Sequence, residues 1–116
     1  MTDIAHTSIG DLQGVRENGV LRFRAVPYAA PPVGPLRFAA PQPPAAWRGV
    51  RDARQHGPIA PQPPSRLRLA MGEFDRAQDE DCLTLTIATP GADDKRRPVM
   101  VWLHGGAWIS GGGSLD

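Results

Sequence analysis

Residues Pro98 to Trp108 have the sequence PVMVWLHGGAW, the most apolar run of the chain followed by glycines. Every position from Pro98 to Leu103 is apolar, which predicts a β-strand covered on both faces inside a larger sheet. The strand passes directly into a glycine-rich loop that continues to Ser114. Because glycine has no Cβ, such a loop can approach a ligand closely and turn its backbone amides outward.

The His104-Gly105-Gly106 run at the end of this strand suggests a chemical use for those amides. When an ester carbonyl is attacked, its oxygen becomes an anion, which hydrolases stabilise with amide donors already aimed at that position. A His-Gly-Gly run after an apolar strand is the arrangement in which the loop supplies part of this oxyanion hole. The alternative is a merely mobile turn, which would be preferred for an isolated Gly-Gly pair. The preceding strand and His104 favour the oxyanion loop.

Two further strands are predicted from alternating residues. Val20–Val26 alternates apolar and basic side chains, as a strand with one wet face would, and Gly19 makes the turn before it. Leu83–Thr89 also alternates, with threonines on one face, and Pro90-Gly91 stops it. A charged, hairpin-like connection is predicted over Asp93–Arg97, between this strand and the apolar one.

The rest of the chain offers little that could cover a sheet. Prolines recur between Pro27 and Pro64, which predicts an ordered loop without helix or ladder pairing. Only short segments near Ser65–Met71 and Glu73–Asp81 have a helical pattern. A domain must bury its apolar faces against another packed layer, and parallel crossovers need about a dozen residues each. We therefore expect the chain to be a fragment of a larger domain.

Composition excludes several classes of partner. The 116 residues are 41% apolar and 22% charged, and 13 basic against 12 acidic residues leave a net charge of +1 without a polybasic face. Nucleic acid and anionic membranes are therefore not expected as partners. The start, Met1–His6, has no charged leader and no segment approaches the roughly 20 apolar residues of a membrane helix, so we expect a cytoplasmic protein.

Five segments, taken in order, span nearly the whole chain and carry a family resemblance. The segments are Gly14-Val15 with Phe23–Ala29, Pro32–Phe38, Pro44–Val50, Glu80–Ile87 and Pro98–Gly106. Together they resemble the type-B carboxylesterase and cholinesterase family. Ala25 stands where the family usually has glycine, and Thr84 and Thr86 stand where it has tyrosine and asparagine.

The resemblance implies an α/β class, namely the N-terminal part of an α/β-hydrolase fold. Residues 1–116 would supply the first strands of the central sheet and the proline-rich wrap, ending after the oxyanion-hole loop. The fold would be incomplete, and the rest of the hydrolase domain would be needed for folding.

The resemblance also assigns candidate site residues. Gly106 and Ala107 would donate the oxyanion amides, and Gly105 would shape the turn. His104 would orient the loop by hydrogen bonding, because the family's catalytic histidine comes from a distant C-terminal loop. Trp108 would either line the substrate pocket or serve as a packing residue, and the sequence leaves both open.

The expected substrate is a small-molecule carboxylic ester, with no cofactor and no metal. Three adjacent acids at Asp79–Asp81 cannot all face one ion, because neighbouring side chains alternate. Cholinesterases bind a quaternary ammonium with a tryptophan in the loop that corresponds to Pro61–Asp81. This loop has no tryptophan and only Phe74 as an aromatic, so an uncharged ester is preferred to a choline ester.

The resemblance also implies structural roles for three side chains. Arg37 and Glu80 would form a buried ion pair that ties the proline-rich wrap to the strand after it, against the alternative of two solvated charges. Cys82, the single cysteine, matches half of a disulfide in secreted relatives, but Ala60 occupies the position of the other half. A buried, unreactive thiol is therefore expected at Cys82.

The family's nucleophile is the serine of a Gly-x-Ser-x-Gly motif, the nucleophile elbow. This sequence contains no such motif, and neither Ser110 nor Ser114 lies in one. One hypothesis is that the parent protein is a carboxylesterase and that this chain alone is inactive. A second is that the parent is a non-catalytic, neuroligin-like binding protein, and a third is a truncated product without function. A serine in the parent's elbow would distinguish the first hypothesis from the second.

Overall fold

The computed structural model describes residues 3–64, 66, 70 and 76–114, which form two three-stranded sheets. The first sheet has the order β1-β2-β5 and the second has the order β3-β4-β6. Among the described residues, no helix is long and apolar enough to cross a membrane. The strands are β1 (Ile4–Thr7), β2 (Gly10–Gln13), β3 (Val15–Glu17), β4 (Val20–Pro27), β5 (Val50–Asp52) and β6 (Thr84–Thr89).

The first sheet begins with a hairpin that the sequence patterns did not predict. β1 and β2 pair antiparallel, with Thr7 opposite Gly10 across a two-residue turn. β2 then pairs in parallel with β5, so that Leu12 lies opposite Arg51. These strands have three or four residues each. Such strands are too short for an alternating pattern to stand out from its surroundings.

The second sheet confirms both strands predicted from alternation. β4 covers the predicted Val20–Val26 and adds Pro27, whereas β6 begins one residue later than predicted, at Thr84. β3 and β4 form a hairpin whose turn residues, Asn18 and Gly19, have φ angles of 49° and 81°. Two successive positive φ angles are typical of the turn that best matches the twist of a hairpin.

A β-bulge interrupts the pairing of β4 with β6. Phe23 pairs with Ile87 and Val26 with Leu85, so two residues of β4 lie opposite one residue of β6. Ala25, within the bulge, has a φ of 52°. A left-handed conformation costs a residue with a Cβ about 1–2 kcal/mol. This explains physically why glycine suits the position at which Ala25 departs from the family pattern.

The core lies where the two sheets meet. Ala53 joins them through its backbone, because its amide donates to the Gln13 carbonyl (2.9 Å) and its carbonyl accepts from the Arg24 amide (2.6 Å). Around this junction four side chains are buried, of which Leu21 is completely inaccessible. Burying one large apolar side chain stabilises a fold by about 1.5–3 kcal/mol. The buried cluster consists of Leu12, Leu21, Phe23 and Ala53, with Ala5, Val26 and Trp47 packed against it.

The prediction that one face of β4 is exposed to solvent is wrong at Arg24. This residue is only 8% exposed, whereas Arg22 on the same strand is half-buried. The two terminal nitrogens of Arg24 donate to both Glu17 carboxylate oxygens, at 3.0 and 2.7 Å, and one also donates to the Arg54 carbonyl. The Arg24 guanidinium in turn lowers the pKa of the Glu17 carboxyl. A buried arginine is tolerated because its charge is paired and hydrogen-bonded.

The strand predicted over Pro98–Leu103 is also wrong for this structure. These residues join no sheet, and the side chains from Val99 to Leu103 are 77–92% exposed. The connection at Asp93–Arg97 therefore closes no hairpin. A strand buried on both faces needs neighbouring strands and covering layers, and the described residues supply neither to this segment.

The proline-rich wrap contains more regular structure than predicted. β5 falls between Pro44 and Pro58, in the one long interval without proline, and Gly34–Leu36 form a short 3₁₀ helix. Trp47 fastens the wrap to the first sheet, since its indole nitrogen donates to the Asp11 carbonyl at 2.9 Å. The predicted helical segments and Phe74 lie largely outside the described residues, and residues 76–81, which are described, are not helical.

Candidate active-site loop

The glycine-rich loop is a tight turn organised by one carbonyl group. The Gly106 carbonyl accepts hydrogen bonds from the amides of Ile109 (3.0 Å) and Ser110 (3.1 Å) and from the Ser110 hydroxyl (3.3 Å). With its carbonyl held inside the turn, Gly106 begins a sequence of positive φ angles, 134° for Gly106, 52° for Ala107 and 60° for Trp108. The turn therefore has a defined conformation and is not merely a glycine linker.

Two glycines are required for this turn to close. A Cβ on Gly106 would collide with the Ser110 carbonyl, and a Cβ on Gly111 would collide with the Gly105 carbonyl. Both glycines also have φ angles in the range that other residues rarely adopt, 134° and 101°. The loop is thus folded back on itself more closely than any residue with a side chain would allow.

The predicted oxyanion donors lie within this turn and are accessible to solvent to different degrees. Gly105 and Ala107 are exposed and Gly106 is half-buried. Neither the Gly106 amide nor the Ala107 amide donates a hydrogen bond to another described residue. Ala107 adopts a left-handed conformation and retains its amide. Two successive amides without an internal partner are the kind of donor pair that an oxyanion hole requires.

His104 and Trp108 flank the candidate donors. The Nδ1 of His104 lies 2.8 Å from the Gly105 carbonyl oxygen. A carbonyl can only accept, so Nδ1 carries the proton in this contact. This bond agrees with a loop-orienting role for His104. Trp108 is 103% exposed, so no described residue packs against it as the packing interpretation would require.

The loop is docked on a segment that the sequence analysis did not identify as functional. Ile59 is 4% exposed and packs against Gly112, where a Cβ would collide with its Cγ2 methyl. Ile59 is held in turn by a parallel bridge to Gln78. Next to it, the side-chain amide of Gln62 contacts the backbone of Gly111 at two points. No sequence pattern signals these contacts, because they join positions about 50 residues apart.

Two expected structural roles are met only in part. Arg37 and Glu80 form the expected ion pair, but their side chains are 57% and 43% exposed, so the pair is not buried. Cys82 has a free thiol that is half-buried and not fully buried as expected. Burial, followed by the negative charges of Asp81 and Asp79, raises the pKa of this thiol. A raised pKa keeps the thiol protonated, which agrees with an unreactive cysteine.

Comparison with known proteins supports the resemblance over the whole chain. The sequence profile of the Carboxylesterase family matches residues 1–115. Phenmedipham hydrolase of Pseudarthrobacter oxydans is 53% identical over 114 residues, which cover 97% of this chain and 23% of that protein. Para-nitrobenzyl esterase of Bacillus subtilis (strain 168) is 48% identical over 111 residues, which cover 96% of this chain and 22% of that protein.

Solved structures agree with these relatives. A structure titled thermophilic PNB esterase is 44% identical and superposes with a TM-score of 0.85 over 98% of this chain and 23% of its own. A Geobacillus stearothermophilus carboxylesterase is also 44% identical and superposes with a TM-score of 0.84, covering 97% of this chain and 21% of its own. The chain thus spans less than a quarter of the length of the relatives that it matches. It belongs to the carboxylesterase family.

Proposed function

We propose that the full-length protein that carries this chain is a serine carboxylesterase, and that this chain contributes part of its oxyanion hole. The observation that carries the proposal is the pair of successive amides at Gly106 and Ala107, which donate to no other described residue, in a turn closed by two obligatory glycines. Family membership supports the reaction class. The relatives reported above are named as hydrolases and esterases, which lends no support to the non-catalytic adhesion hypothesis.

In this mechanism, a serine hydroxyl from the remainder of the protein attacks the ester carbonyl carbon while a histidine takes its proton. The carbonyl π electrons move onto oxygen, and the Gly106 and Ala107 amides donate to the resulting oxyanion. The tetrahedral intermediate collapses, and the alcohol leaves with the histidine's proton. Water then hydrolyses the acyl-serine by the same steps. Removing one oxyanion donor typically reduces kcat by about 10²–10³-fold.

The proposed substrates are uncharged carboxylic esters. The loop between residues 61 and 81 has no tryptophan with which to bind a quaternary ammonium. We assign Trp108 to the substrate pocket, since its exposed indole directly follows the two candidate donors. The methyl group of Ala107 narrows the acyl side of that pocket relative to the glycine usual in the family.

The first experiment expresses the full-length protein and assays it with a p-nitrophenyl acyl ester beside a variant in which the elbow serine is alanine. We expect turnover that disappears in the serine variant, and no serine-dependent turnover from residues 1–116 alone. An elbow without serine, or turnover that survives its removal, would refute the proposal.

A second experiment tests the loop itself. Gly106→Ala should reduce kcat by about 10²-fold, because the added Cβ collides with the Ser110 carbonyl and moves the amides. Gly113→Ala is the matched control, since a Cβ there meets nothing within 4 Å. Equal activity of the two variants would exclude the loop from the oxyanion hole.

A further inference from the structure

Gln62 contacts the glycine-rich loop in a way that restrains its backbone. Its Oε1 accepts from the Gly111 amide at 2.9 Å, and its Nε2 donates to the Gly111 carbonyl at 2.9 Å. The planar side-chain amide of Gln62 therefore binds both the backbone amide and the backbone carbonyl of Gly111. This restricts the rotation of Gly111 as well as its distance from Gln62. The same Nε2 donates to the Ala60 carbonyl at 3.0 Å, and the backbone amide of Gln62 donates to the Oε1 of Gln78 at 2.9 Å. Gln62 is thus itself held in place from two sides.

The restraint reaches the candidate donors through a short path. Gly111 lies so close to the Gly105 carbonyl that a Cβ on Gly111 would collide with it. The residue before it, Ser110, donates twice to the Gly106 carbonyl, from its amide and from its hydroxyl. The Gly106 carbonyl and the Ala107 amide belong to one planar peptide group. A change in the position of Gly111 therefore changes the direction of the Ala107 amide.

The chain contains its own comparison for Gln62. The pentapeptide Ala-Pro-Gln-Pro-Pro occurs at Ala40–Pro44 and again at Ala60–Pro64. In both copies the glutamine donates to the carbonyl two residues before it, at 3.2 Å from Gln42 and 3.0 Å from Gln62. Gln42 is exposed, and its only described side-chain bond is this local one. The local bond is therefore a property of the pentapeptide, whereas the two bonds to Gly111 belong to the fold.

We propose that Gln62 is a positioning residue for the oxyanion loop, which aims the Gly106 and Ala107 amides by binding both backbone groups of Gly111. It touches no reacting atom. The proposal rests on the proposed esterase function and adds to it the residue on which the geometry of the donors depends.

The test compares Gln62→Met and Gln62→Glu with the matched Gln42→Met and Gln42→Glu variants, all in the full-length protein. Methionine keeps the length of the side chain and removes both bonds to Gly111. We expect Gln62→Met to lower kcat for p-nitrophenyl butyrate by about 10- to 100-fold with KM within about twofold, because misplaced donors affect the transition state more than the bound ester. Affinity for an aryl trifluoromethyl ketone, which adds the serine to form a tetrahedral oxyanion, should weaken by a similar factor.

The Gln62→Glu variant separates positioning from folding. Its carboxylate can accept from the Gly111 amide but repels the Gly111 carbonyl, whereas the protonated carboxyl regains a donor. We therefore expect its kcat relative to that of the wild type to rise as the pH falls from about 8 to about 5, toward the ordinary pKa range of glutamate. Both Gln42 variants should follow the wild type at every pH.

Three results would overturn the proposal. One is a Gln62→Met variant whose kcat and ketone affinity lie within about twofold of the wild type. Another is a Gln62→Met variant with lowered thermal stability and unchanged kcat, which would make the residue merely structural. The third is an equal loss of activity in the Gln42 variants. A wild-type protein that hydrolyses no ester would instead overturn the esterase function on which this proposal depends.

Discussion

The contact between Gly112 and Ile59 allows a sharp test of how the active-site loop is held. A Cβ on Gly112 would overlap the Cγ2 methyl of Ile59 and lie 3.1 Å from its Cβ. An ordinary carbon–carbon contact is about 3.5–4.0 Å, so Gly112→Ala forces the loop or Ile59 to move by about 1 Å. Ile59 is buried and held through its backbone amide and carbonyl by residues 77 and 79. The loop is therefore the part that moves.

Two quantities follow from that displacement. Overpacking a buried contact costs about 1–3 kcal/mol of stability, and a misplacement of about 1 Å near the donors costs about 10²-fold in kcat. We expect Gly112→Ala in the full-length protein to show both effects. Gly113→Ala, in the same glycine run but with open space around it, should show neither. Urea denaturation and p-nitrophenyl ester turnover measure them.

A double-mutant cycle makes the reasoning refutable. Ile59→Ala alone should destabilise by about 2–5 kcal/mol, because it empties a buried site. In the double mutant, the methyl of Gly112→Ala occupies part of the space that Ile59→Ala empties. The loss of stability in the double mutant should therefore be about 0.5–3 kcal/mol smaller than the sum of the two single losses. Strict additivity, or a Gly112→Ala variant with wild-type stability and kcat, would show that the loop does not depend on this contact.

Three further predictions concern other parts of the chain. The raised pKa of the Cys82 thiol predicts slow alkylation by iodoacetamide at neutral pH, and the rate should rise only at a higher pH than for a free cysteine. Alkylation of Cys82 at the same rate as glutathione would contradict this prediction. The Arg97 guanidinium, bonded at 2.6 and 2.9 Å, holds the pKa of the Asp93 carboxyl at about 2. In a carbon-13 NMR titration, Arg97→Gln should raise that pKa toward the ordinary range of aspartate, whereas an unchanged value would exclude the ion pair as its main cause. Ala25→Gly should raise the free energy of unfolding by up to about 1 kcal/mol by relieving a left-handed alanine, whereas Ala88→Gly, at an exposed position of β6, should lower it by about 0.5–1 kcal/mol; effects of the same sign would refute this assignment of strain.

The sequence predicted most reliably where a pattern was long enough to carry information. The eight residues of β4 and the six of β6 alternate clearly, and both strands were found. The short strands β1, β2, β3 and β5 were not predicted, because three or four residues are too few to show an alternation of apolar and polar side chains. Arg24 was misassigned because a bulge cannot be recognised from alternation.

The apolar segment Val99–Leu103 shows a different limit. Its composition predicts burial, but burial is a relation between surfaces, and the described residues supply no second surface. The family profile and the limited share of each relative that is covered agree with a larger protein that would supply one. The cytoplasmic location and the catalytic roles of Gly105, Gly106 and Ala107 stay predictions.

By itself, the sequence determined the family, the two longer strands and the position of the glycine-rich loop, because these depend on local composition and on the order of segments along the chain. The two copies of Ala-Pro-Gln-Pro-Pro mark where such reasoning ends. Gln42 and Gln62 have the same neighbours and make the same local hydrogen bond, yet only Gln62 binds the Gly111 backbone. Tertiary structure alone decided that difference, because the bond depends on the fold bringing together two segments that lie 49 positions apart in the sequence.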